Sequence, residues 1–351
     1  MQNNNDSTLS TATYLKFNIE KTLNEGEDAD PILVESVSSR RFFIGVADGM
    51  GGSGSTNYEY EGTSKTGAYF ASRITLKSCQ TFFDKLFQSN FELQDYLIKL
   101  KIYIKEELLS NLKLFKFEVS GLKSKLLRSL PTTLAGIQIE CNETQTNITS
   151  IWAGDSRSYI LTANKGLQQI SIDDLKEELD PFDNIKKDSQ LKNFISADND
   201  FTLNIRKLSV TEPLLAIVAT DGCFGYFHTP MQFEYSLLQS LDLAETIEDW
   251  QNNLINIIKP IAGDDFSMLI LVVGWNNDLS LVKRDFKQRI QLLYSDVIEQ
   301  LELLDKDYSE KKKSKERIEE ELKIKQKQRQ EIQTMLWSDY KKNYLIQNNP
   351  K

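Results

Sequence analysis

The sequence predicts a domain that combines β-strands with α-helices, followed by a long helical tail. Short apolar runs rich in β-branched and aromatic residues recur along residues 14–274, and longer stretches with apolar residues near a 3.6-residue period lie between them. After Trp275 the chain has no glycine and no proline until Pro350, which favours a continuous helix. Residues 1–13 are polar and are expected to form a disordered lead.

The apolar runs have the length and composition of buried strands, and turn-forming residues separate them. Residues 30–37 are expected to pair with the first run as a hairpin through residues 38–41. The predicted strands are 42–47, 133–139, 149–153, 158–161, 214–219 and 267–273.

Three longer stretches are expected to form amphipathic helices, at 63–87, 92–115 and 231–258. Residues 162–210 are polar and weakly patterned, with a helical piece near 173–179. We expect this segment to be an insertion that lies over the sheet rather than a part of it.

The tail follows a heptad pattern whose seam is apolar at both ends and basic in the middle. Two interpretations remain open. One is a solvated charged helix; the other is a coiled coil made through residues 281–345 with a second copy or a partner, with a hairpin bent near 309–314 as a variant. The seam residues are Ile290, Val297, Leu304, Lys311, Ile318, Lys325 and Ile332, together with Tyr294, Leu301, Tyr308, Lys315, Leu322, Arg329 and Leu336.

Composition and charge disfavour several classes of protein. The 351 residues carry a formal net charge of −9, which disfavours a general nucleic-acid-binding role. No apolar run approaches the ~20 residues of a membrane span, and the first residues lack the pattern of a secretory signal. The sequence therefore predicts a soluble, cytoplasmic protein without nucleic-acid or membrane partners.

Cysteine and histidine usage narrows the chemistry further. Cys79, Cys141 and Cys223 form no CxxC pair, and His228 is the single histidine. Thiol-based, zinc-based and multi-histidine sites are therefore disfavoured. Catalysis, if present, must use carboxylates and metal ions that prefer oxygen ligands.

Aspartates stand at the ends of four strong apolar runs. Asp48, Asp155 and Asp221 each follow a predicted strand within two residues, and Asp264 with Asp265 precedes the last one. A single Asp-Gly pair is usually only a turn, but four such turns can converge at one sheet edge. Carboxylates brought together repel unless they are neutralised, and Mg²⁺ or Mn²⁺ is the usual solution. The pattern suggests a binuclear metal-dependent hydrolase.

Six short motifs follow one another along the chain. They are Glu27-Asp28-Ala29, Asp48-Gly-Met-Gly-Gly52, Pro131-Thr-Thr-Leu134, Gly154-Asp-Ser-Arg157, Ala219-Thr-Asp-Gly222 and Gly263-Asp-Asp-Phe-Ser267. In this order they resemble the successive motifs of the metal-dependent protein phosphatases (PPM, type 2C), and more closely those of the bacterial branch. The resemblance covers residues 14–274 and implies an α+β fold, a four-layer α/β/β/α sandwich of two antiparallel sheets flanked by helices, here with a C-terminal helical extension.

The resemblance also implies roles for individual residues. Asp48 would bridge two metal ions, and the Gly49 carbonyl would bind one of them. Glu27, Asp221 and Asp264 match the remaining ligands of the pair. Two further sets are implied: Asp155, with Asp221, matches a looser third metal site, and Asp28 and Asp265 are either ligands or supporting turn residues.

Two positions depart from the family pattern. The family usually has an Arg that grips the substrate phosphate four residues before the Glu27 position, where this chain has Leu23. Lys21, Arg40 or Arg41 are candidates to replace it. Met50 follows Asp-Gly and cannot donate a proton, as in many bacterial relatives. The insertion at 162–210 occupies the place of the family's flap.

The implied activity is hydrolysis of phosphoserine and phosphothreonine in proteins by a metal-activated water, with Asp48, Asp221 and Asp264 as the catalytic carboxylates and two or three Mn²⁺ or Mg²⁺ ions. The alternative is a pseudophosphatase, or a phosphoprotein-binding assembly module that uses the C-terminal helix. A phosphoprotein is the expected substrate, and a cognate Ser/Thr kinase is a candidate partner. The predicted domain boundaries are 14–274 for the phosphatase and 275–351 for the tail.

Overall fold

The computed structural model describes residues 12–88, 96–116, 127–176 and 190–344. The chain forms two compact units, the first ending at Leu292 and the second beginning at Leu293. The first residues of the expected disordered lead, 1–11, lie outside the described part.

The described residues of the first unit contain the strands β1 (Tyr14–Ile19), β2 (Ile32–Ser36), β3 (Arg41–Val46), β4 (Asn57–Tyr60), β5 (Thr63–Thr66), β6 (Leu134–Cys141), β7 (Thr146–Ala153), β8 (Arg157–Thr162), β9 (Gly166–Gln169), β10 (Asn204–Val210), β11 (Leu214–Ala219) and β12 (Phe266–Val273). These strands form two five-stranded antiparallel sheets and one small hairpin, β4–β5. The first sheet has the order β1-β12-β11-β8-β9, and the second has the order β10-β7-β6-β3-β2.

Helices lie on the outer face of each sheet and continue into the tail. They are α1 (Gly67–Gln88), α2 (Tyr96–Leu114), α3 (Asp221–Phe224), α4 (Pro230–Asp242), α5 (Ile247–Ile258), α6 (Leu279–Leu293) and α7 (Glu299–Tyr344), with a π-helical turn at Tyr294–Ile298. None of the described helices is both long enough and apolar enough to cross a membrane.

Apolar side chains hold the four layers together. Between the sheets, buried residues of the second sheet such as Ile137 meet residues of the first such as Val218 and Leu269. On the outer face of the second sheet Phe43 stacks on Phe83 of α1, with ring centroids 3.8 Å apart. On the first sheet Tyr159 of β8 packs against Phe233 of α4 at 5.8 Å. The predicted four-layer α/β/β/α sandwich is confirmed.

All six predicted strands are present, with ends shifted by up to three residues, and β2 pairs with β3 as the expected hairpin. The predicted helix at 63–87 begins later, at Gly67. Its first residues form β5, which pairs with β4 across Glu61 and Gly62. Both turn residues have positive φ, 49° and 81°, as a two-residue I′ hairpin turn requires.

The predicted helix at 231–258 is two helices, α4 and α5. The helix is divided at Thr246 because this residue caps the start of α5. Thr246 Oγ1 accepts from the Asp249 amide at 3.0 Å, and Asp249 Oδ2 accepts from the Thr246 amide at 3.0 Å. This reciprocal pair is a capping box, which satisfies two backbone donors at a helix start.

The prediction that residues 162–210 lie over the sheet is wrong at both ends of that segment. Strand β9 pairs with β8 in the first sheet, and β10 pairs with β7 in the second. Residues 173–176 are not helical, and the rest of the helical piece expected there lies outside the described residues.

The structure places the boundary between the units later than the predicted 274/275. Helix α6 packs on the first unit: Val282 and Phe286 are fully buried, and Arg289 Nε contacts Glu234 Oε1 at 2.8 Å. Helix α7 is helical throughout residues 309–314, so the hairpin variant of the tail is not observed.

Candidate active site

Asp48 lies just beyond β3, and the start of β6 holds its backbone. The Asp48 carbonyl accepts from the Thr133 amide at 2.8 Å and from Thr132 Oγ1 at 2.6 Å. The Asp48 amide donates to Thr133 Oγ1 at 3.2 Å. One neighbouring segment thus satisfies both the amide and the carbonyl of Asp48. The turn that carries the Asp48 side chain therefore has a defined position.

Two further carboxylates contact Asp48. Its side chain lies against those of Asp28 and Asp221, and a hydrogen bond within each pair needs a proton on one of the two carboxyls, because an ionised carboxylate can only accept. Asp28 is only 1% exposed, and its Oδ2 accepts from Thr220 Oγ1 at 2.8 Å. The same Thr220 oxygen accepts from the Ser267 amide at 2.9 Å, which ties the turn after β11 to β12. Asp28, which the sequence left open as a ligand or a support, therefore lies at the centre of the cluster.

Burial and like charges raise the pKa values of these groups. Burial raises the pKa of Asp48 well above its usual range, and the charges of Asp28 and Asp221 raise it further. Burial likewise raises the pKa of Asp28 to about 7, of Asp155 to about 8 and of Asp221 to about 6, with a neighbouring carboxylate adding to each. These carboxyls cannot all ionise at neutral pH unless a cation neutralises them.

Glu27 and the Asp264–Asp265 pair form the outer side of the cluster. Glu27 Oε1 accepts from Thr66 Oγ1 at 2.6 Å, while burial, followed by the charges of Asp265 and Asp264, raises its pKa. Asp265 accepts from the backbone amides of Lys21 and Glu27, at 2.7 Å each, so it supports the loop that carries Glu27. Asp264 is exposed. The structure thus gives Asp265 the supporting role.

The glycines after Asp48 allow a close approach of two chain segments. A Cβ at Gly49 would lie 2.5 Å from the Ala68 carbonyl oxygen, and one at Gly51 would lie 2.1 Å from Glu27 Oε2. Gly49 has no room for a side chain because backbone atoms block it, whereas at Gly51 the Glu27 side chain would have to move. This loop therefore passes against the start of α1 and lies beside Glu27.

Residues of the insertion hold the turn that carries Asp155, and the sequence did not indicate this contact. Gly154, at φ +101°, donates its amide to Asp174 Oδ2 at 3.1 Å. Arg157 forms a buried ion pair with Asp173, with Nη2 and Oδ2 2.6 Å apart and side chains 4% and 5% exposed. The charge of Arg157 lowers the pKa of Asp155 against the effect of burial.

Of the predicted phosphate-gripping residues, the structure brings only Lys21 near the carboxylates. Its amide bonds Asp265, and its ammonium donates to the Gly263 carbonyl. Arg40 and Arg41 stand at the opposite end of β3 from Asp48, about 20 Å away at ~3.3 Å per residue, and Arg41 pairs with Glu140 at 3.4 Å. Both arginines, which the sequence offered as candidates beside Lys21, therefore lie far from the carboxylates.

A cation that the sequence analysis missed lies beside Glu27. Arg73 of α1 donates to the Tyr69 carbonyl at 3.0 Å and to the Glu27 carbonyl at 3.3 Å, and its guanidinium stacks 3.5 Å from the Tyr69 ring centre. Its charge lowers the pKa of Glu27. No motif marks Arg73, because a helix that crosses the loop from another part of the chain brings it there.

The donor set suits a hard divalent cation, since every candidate ligand atom is oxygen. Within the residues that the structure describes, however, no group of three or more His, Cys, Asp or Glu side chains is arranged to hold a metal ion. Asp48 instead shares hydrogen bonds with Asp28 and Asp221. The chemistry of the ligands fits the ions, whereas the side chains are paired with one another.

Neither the scan against protein-family models nor the search of curated proteins finds a match for this chain. Solved structures do match. A bacterial serine phosphatase is 15% identical with a TM-score of 0.54, covering 75% of this chain and 98% of that one. Serine/threonine phosphatase Stp1 from Staphylococcus aureus is 14% identical with a TM-score of 0.54, covering 76% and 96%. The S. agalactiae serine/threonine phosphatase is 15% identical with a TM-score of 0.51, covering 75% and 100%.

At this identity the comparisons establish the fold. The chain has the fold of the bacterial PPM-type Ser/Thr phosphatases, with a C-terminal helical extension. The resemblance that the motifs predicted is confirmed at this level.

Proposed function

We propose that this chain is a metal-dependent Ser/Thr protein phosphatase that hydrolyses phosphoserine and phosphothreonine in phosphoproteins. The observation that carries the proposal is the buried contact of Asp48 with Asp28 and Asp221, which keeps like charges together at a cost in solvation. A structural role does not require such a cluster, whereas binding of divalent cations does.

In this proposal Glu27, Asp48, Asp221 and Asp264, with the Gly49 carbonyl, hold two Mn²⁺ or Mg²⁺ ions, and Asp155 with Asp221 holds a third. Bound ions of this kind activate a water and stabilise the charge that develops on a phosphoryl group in transfer. Asp265 and Arg73 keep the Glu27 loop in place through its backbone. Lys21, on the same loop, is our candidate for the contact with the substrate phosphate, supported by its place beside Asp265.

Turnover of p-nitrophenyl phosphate tests the activity. We expect hydrolysis with added Mn²⁺ or Mg²⁺ and loss of hydrolysis in EDTA. Thiol-blocking reagents should have no effect on the rate, because burial raises the pKa values of Cys79 and Cys223 and keeps both thiols protonated. Inactivation by such a reagent that mutation of Cys223 prevents would contradict the proposal.

The second candidate is a pseudophosphatase that binds a phosphoprotein without turnover. The exposed Leu23, 82% accessible where the family has its phosphate-gripping Arg, favours it. A melting temperature that rises with Mn²⁺, combined with no hydrolysis of p-nitrophenyl phosphate or a phosphopeptide, would select this candidate.

We also propose that the tail, residues 281–345, mediates association with a second copy or a partner, for which a cognate Ser/Thr kinase is a candidate. The support is the exposure of the apolar side chains of α7. Light scattering of the full chain, and of a variant that ends at Leu293, tests this role: identical monomer masses, with no partner lost in a pull-down, would exclude it.

A further inference from the structure

Helix α7 exposes a seam of large apolar side chains along its length. The seam contains three apolar steps, each a pair of apolar side chains four residues apart. They are Leu304 and Tyr308, Ile318 and Leu322, and Ile332 and Leu336, with every side chain between 55% and 70% exposed. An apolar stripe at heptad spacing on a solvated helix is typical of a surface that another helix covers.

Basic residues occupy the seam between the apolar steps. Lys311 and Lys315 separate the first step from the second, and Lys325 and Arg329 separate the second from the third. The two basic pairs are fourteen residues apart, about 21 Å along the helix at ~1.5 Å per residue. The seam therefore alternates apolar and basic steps with a regular period and is symmetric about Ile318 and Leu322.

This alternation opposes pairing with a second copy. A parallel pair in register places each basic residue against its own copy. An antiparallel pair centred on the Ile318 step matches apolar with apolar but again sets Lys315 opposite Lys325. A shift of one heptad in either arrangement sets each basic pair against an apolar step. Each of these registers thus buries either like charges together or cations against hydrocarbon.

Acidic side chains of the same helix do not remove this obstacle. Lys311 lies 2.6 Å from Asp307, and Lys315 lies 3.7 Å from Glu319. All four side chains are more than half exposed, and exposed pairs one turn apart contribute only a few tenths of a kcal/mol. The lysines therefore remain available to carboxylates supplied from outside the helix.

We propose that the occupant of this seam is a different helix, amphipathic, with apolar residues opposite the three apolar steps and with acidic residues opposite Lys311–Lys315 and Lys325–Arg329. The inference rests on the association role proposed for the tail and names the chemistry of its partner. Such a helix carries two acidic steps fourteen residues apart in an otherwise apolar stripe. Its carboxylates satisfy the cations that a second copy of this chain would force together.

A charge-reversed form of the full chain serves as the probe. In the variant K311E/K315E/K325E/R329E the seam has the acidic and apolar steps that the partner must have. We expect the natural chain alone and the variant alone to sediment as monomers, and an equimolar mixture to sediment as a heterodimer that dissociates as salt is raised. Circular dichroism confirms that the variant is as helical as the natural chain.

A matched control changes four lysines that lie off the seam. The variant K306E/K313E/K323E/K327E has the same change in net charge and should not pair with the natural chain. Replacing Ile318 and Leu322 by Asn in both chains of the mixture should abolish the heterodimer, because the charges then lack an apolar seam. A natural chain that dimerises alone would overturn the inference but keep the association role, whereas a mixture that stays monomeric would overturn the inference itself. Phosphatase activity, measured separately, is independent of both results.

Discussion

Asp48 is costly to the folded protein in the absence of a cation. Its carboxyl lies in a buried position beside Asp28 and Asp221, and burial followed by their charges raises its pKa well above the usual range. Thr132 and Thr133 leave the turn no freedom to relax, because they hold the Asp48 backbone on both sides. We therefore expect a bound divalent ion to stabilise the folded protein.

Removing one of these charges should lower the activity but raise the stability of the metal-free protein. We expect Asp48→Asn and Asp221→Asn each to lower kcat by ~100-fold or more, since even residues that only support metal ligands typically contribute about 10–100-fold. In metal-free buffer the same variants should melt about 2–4 °C higher, the shift that ~1 kcal/mol produces in a domain of this size. Asp84→Asn, on the exposed face of α1, is the control and should change neither quantity. Turnover like that of the natural chain from either site variant would exclude the metal-ligand assignment.

Leu23 and Lys21 are the positions that the proposed phosphate contact depends on. Leu23 projects into solvent where the family places its Arg, and Lys21 is the nearby cation on the same loop. We expect Leu23→Arg to lower KM for a phosphopeptide and Lys21→Ala to raise it, with kcat changing less. Arg41→Ala is the control, because Arg41 lies at the far end of β3 and pairs with Glu140. A sharp rise in KM for Arg41→Ala, with none for Lys21→Ala, would contradict this placement.

At the scale of elements, the insertion between β8 and β11 supports the Asp155 turn. Arg157 of β8 and Asp173 form a bidentate pair, with Nε to Oδ1 at 3.0 Å and Nη2 to Oδ2 at 2.6 Å. The guanidinium also lies 4.3 Å from the Phe224 ring centre, on α3. One buried cation thus links the first sheet, the insertion and the helix that begins at Asp221.

Breaking this pair should be far more costly than breaking an exposed one. We expect Asp173→Ala to destabilise the protein by about 3–5 kcal/mol, because it leaves the Arg157 charge buried without its partner. Asp200→Ala breaks an ion pair with Lys101 in which the aspartate is 87% exposed, and should cost less than about 1 kcal/mol. Chemical denaturation of both variants measures the difference. Equal losses would mean that the Arg157–Asp173 pair does not organise the insertion.

At the scale of the whole molecule, the end of the first unit lies in the helical region after β12. Helix α6 buries Val282 and Phe286 fully, and Trp275 Nε1 donates to Asp285 at 2.8 Å. Helix α7 has no comparable burial, since its described side chains are almost all exposed. We therefore expect catalysis to need the chain up to about Leu293, and not only up to residue 274. Association is expected to need the residues after Leu293.

Two truncations test that boundary. A chain that ends at Leu293 should keep the melting temperature of the first unit and full activity on p-nitrophenyl phosphate. A chain that ends at Asn277 should lose about 3–6 kcal/mol, because Val282 and Phe286 each contribute ~1.5–3 kcal/mol by burial. Differential scanning calorimetry compares the two. Equal stability of the two truncated chains would support the domain boundary at 274/275 that the sequence predicted.

The sequence by itself determined the central strands, the long tail helix and the carboxylates that follow strands. These are local properties: a run such as Leu214–Ala219 is buried on both faces, and Asp221 follows it two residues later. The edge strands β1 and β10 escaped prediction because neither is a continuous apolar run: β1 alternates exposed and buried residues over its first four positions, and no residue of β10 is buried. Their ladders are completed by β12 and β7. Their identity as strands depends on partners distant in the chain.

Only the tertiary structure decided which charges meet. The packed structure brings in Arg73 from α1 and Asp173 from the insertion, residues without a motif of their own. The separation of Arg40 and Arg41 from the carboxylates, by contrast, could be read from the sequence, because both stand at the start of β3 whereas Asp48 follows its end. Strand periodicity sets the spacing of neighbours along the chain, whereas contacts between carboxylates and their counter-charges arise only when the sheets and helices pack.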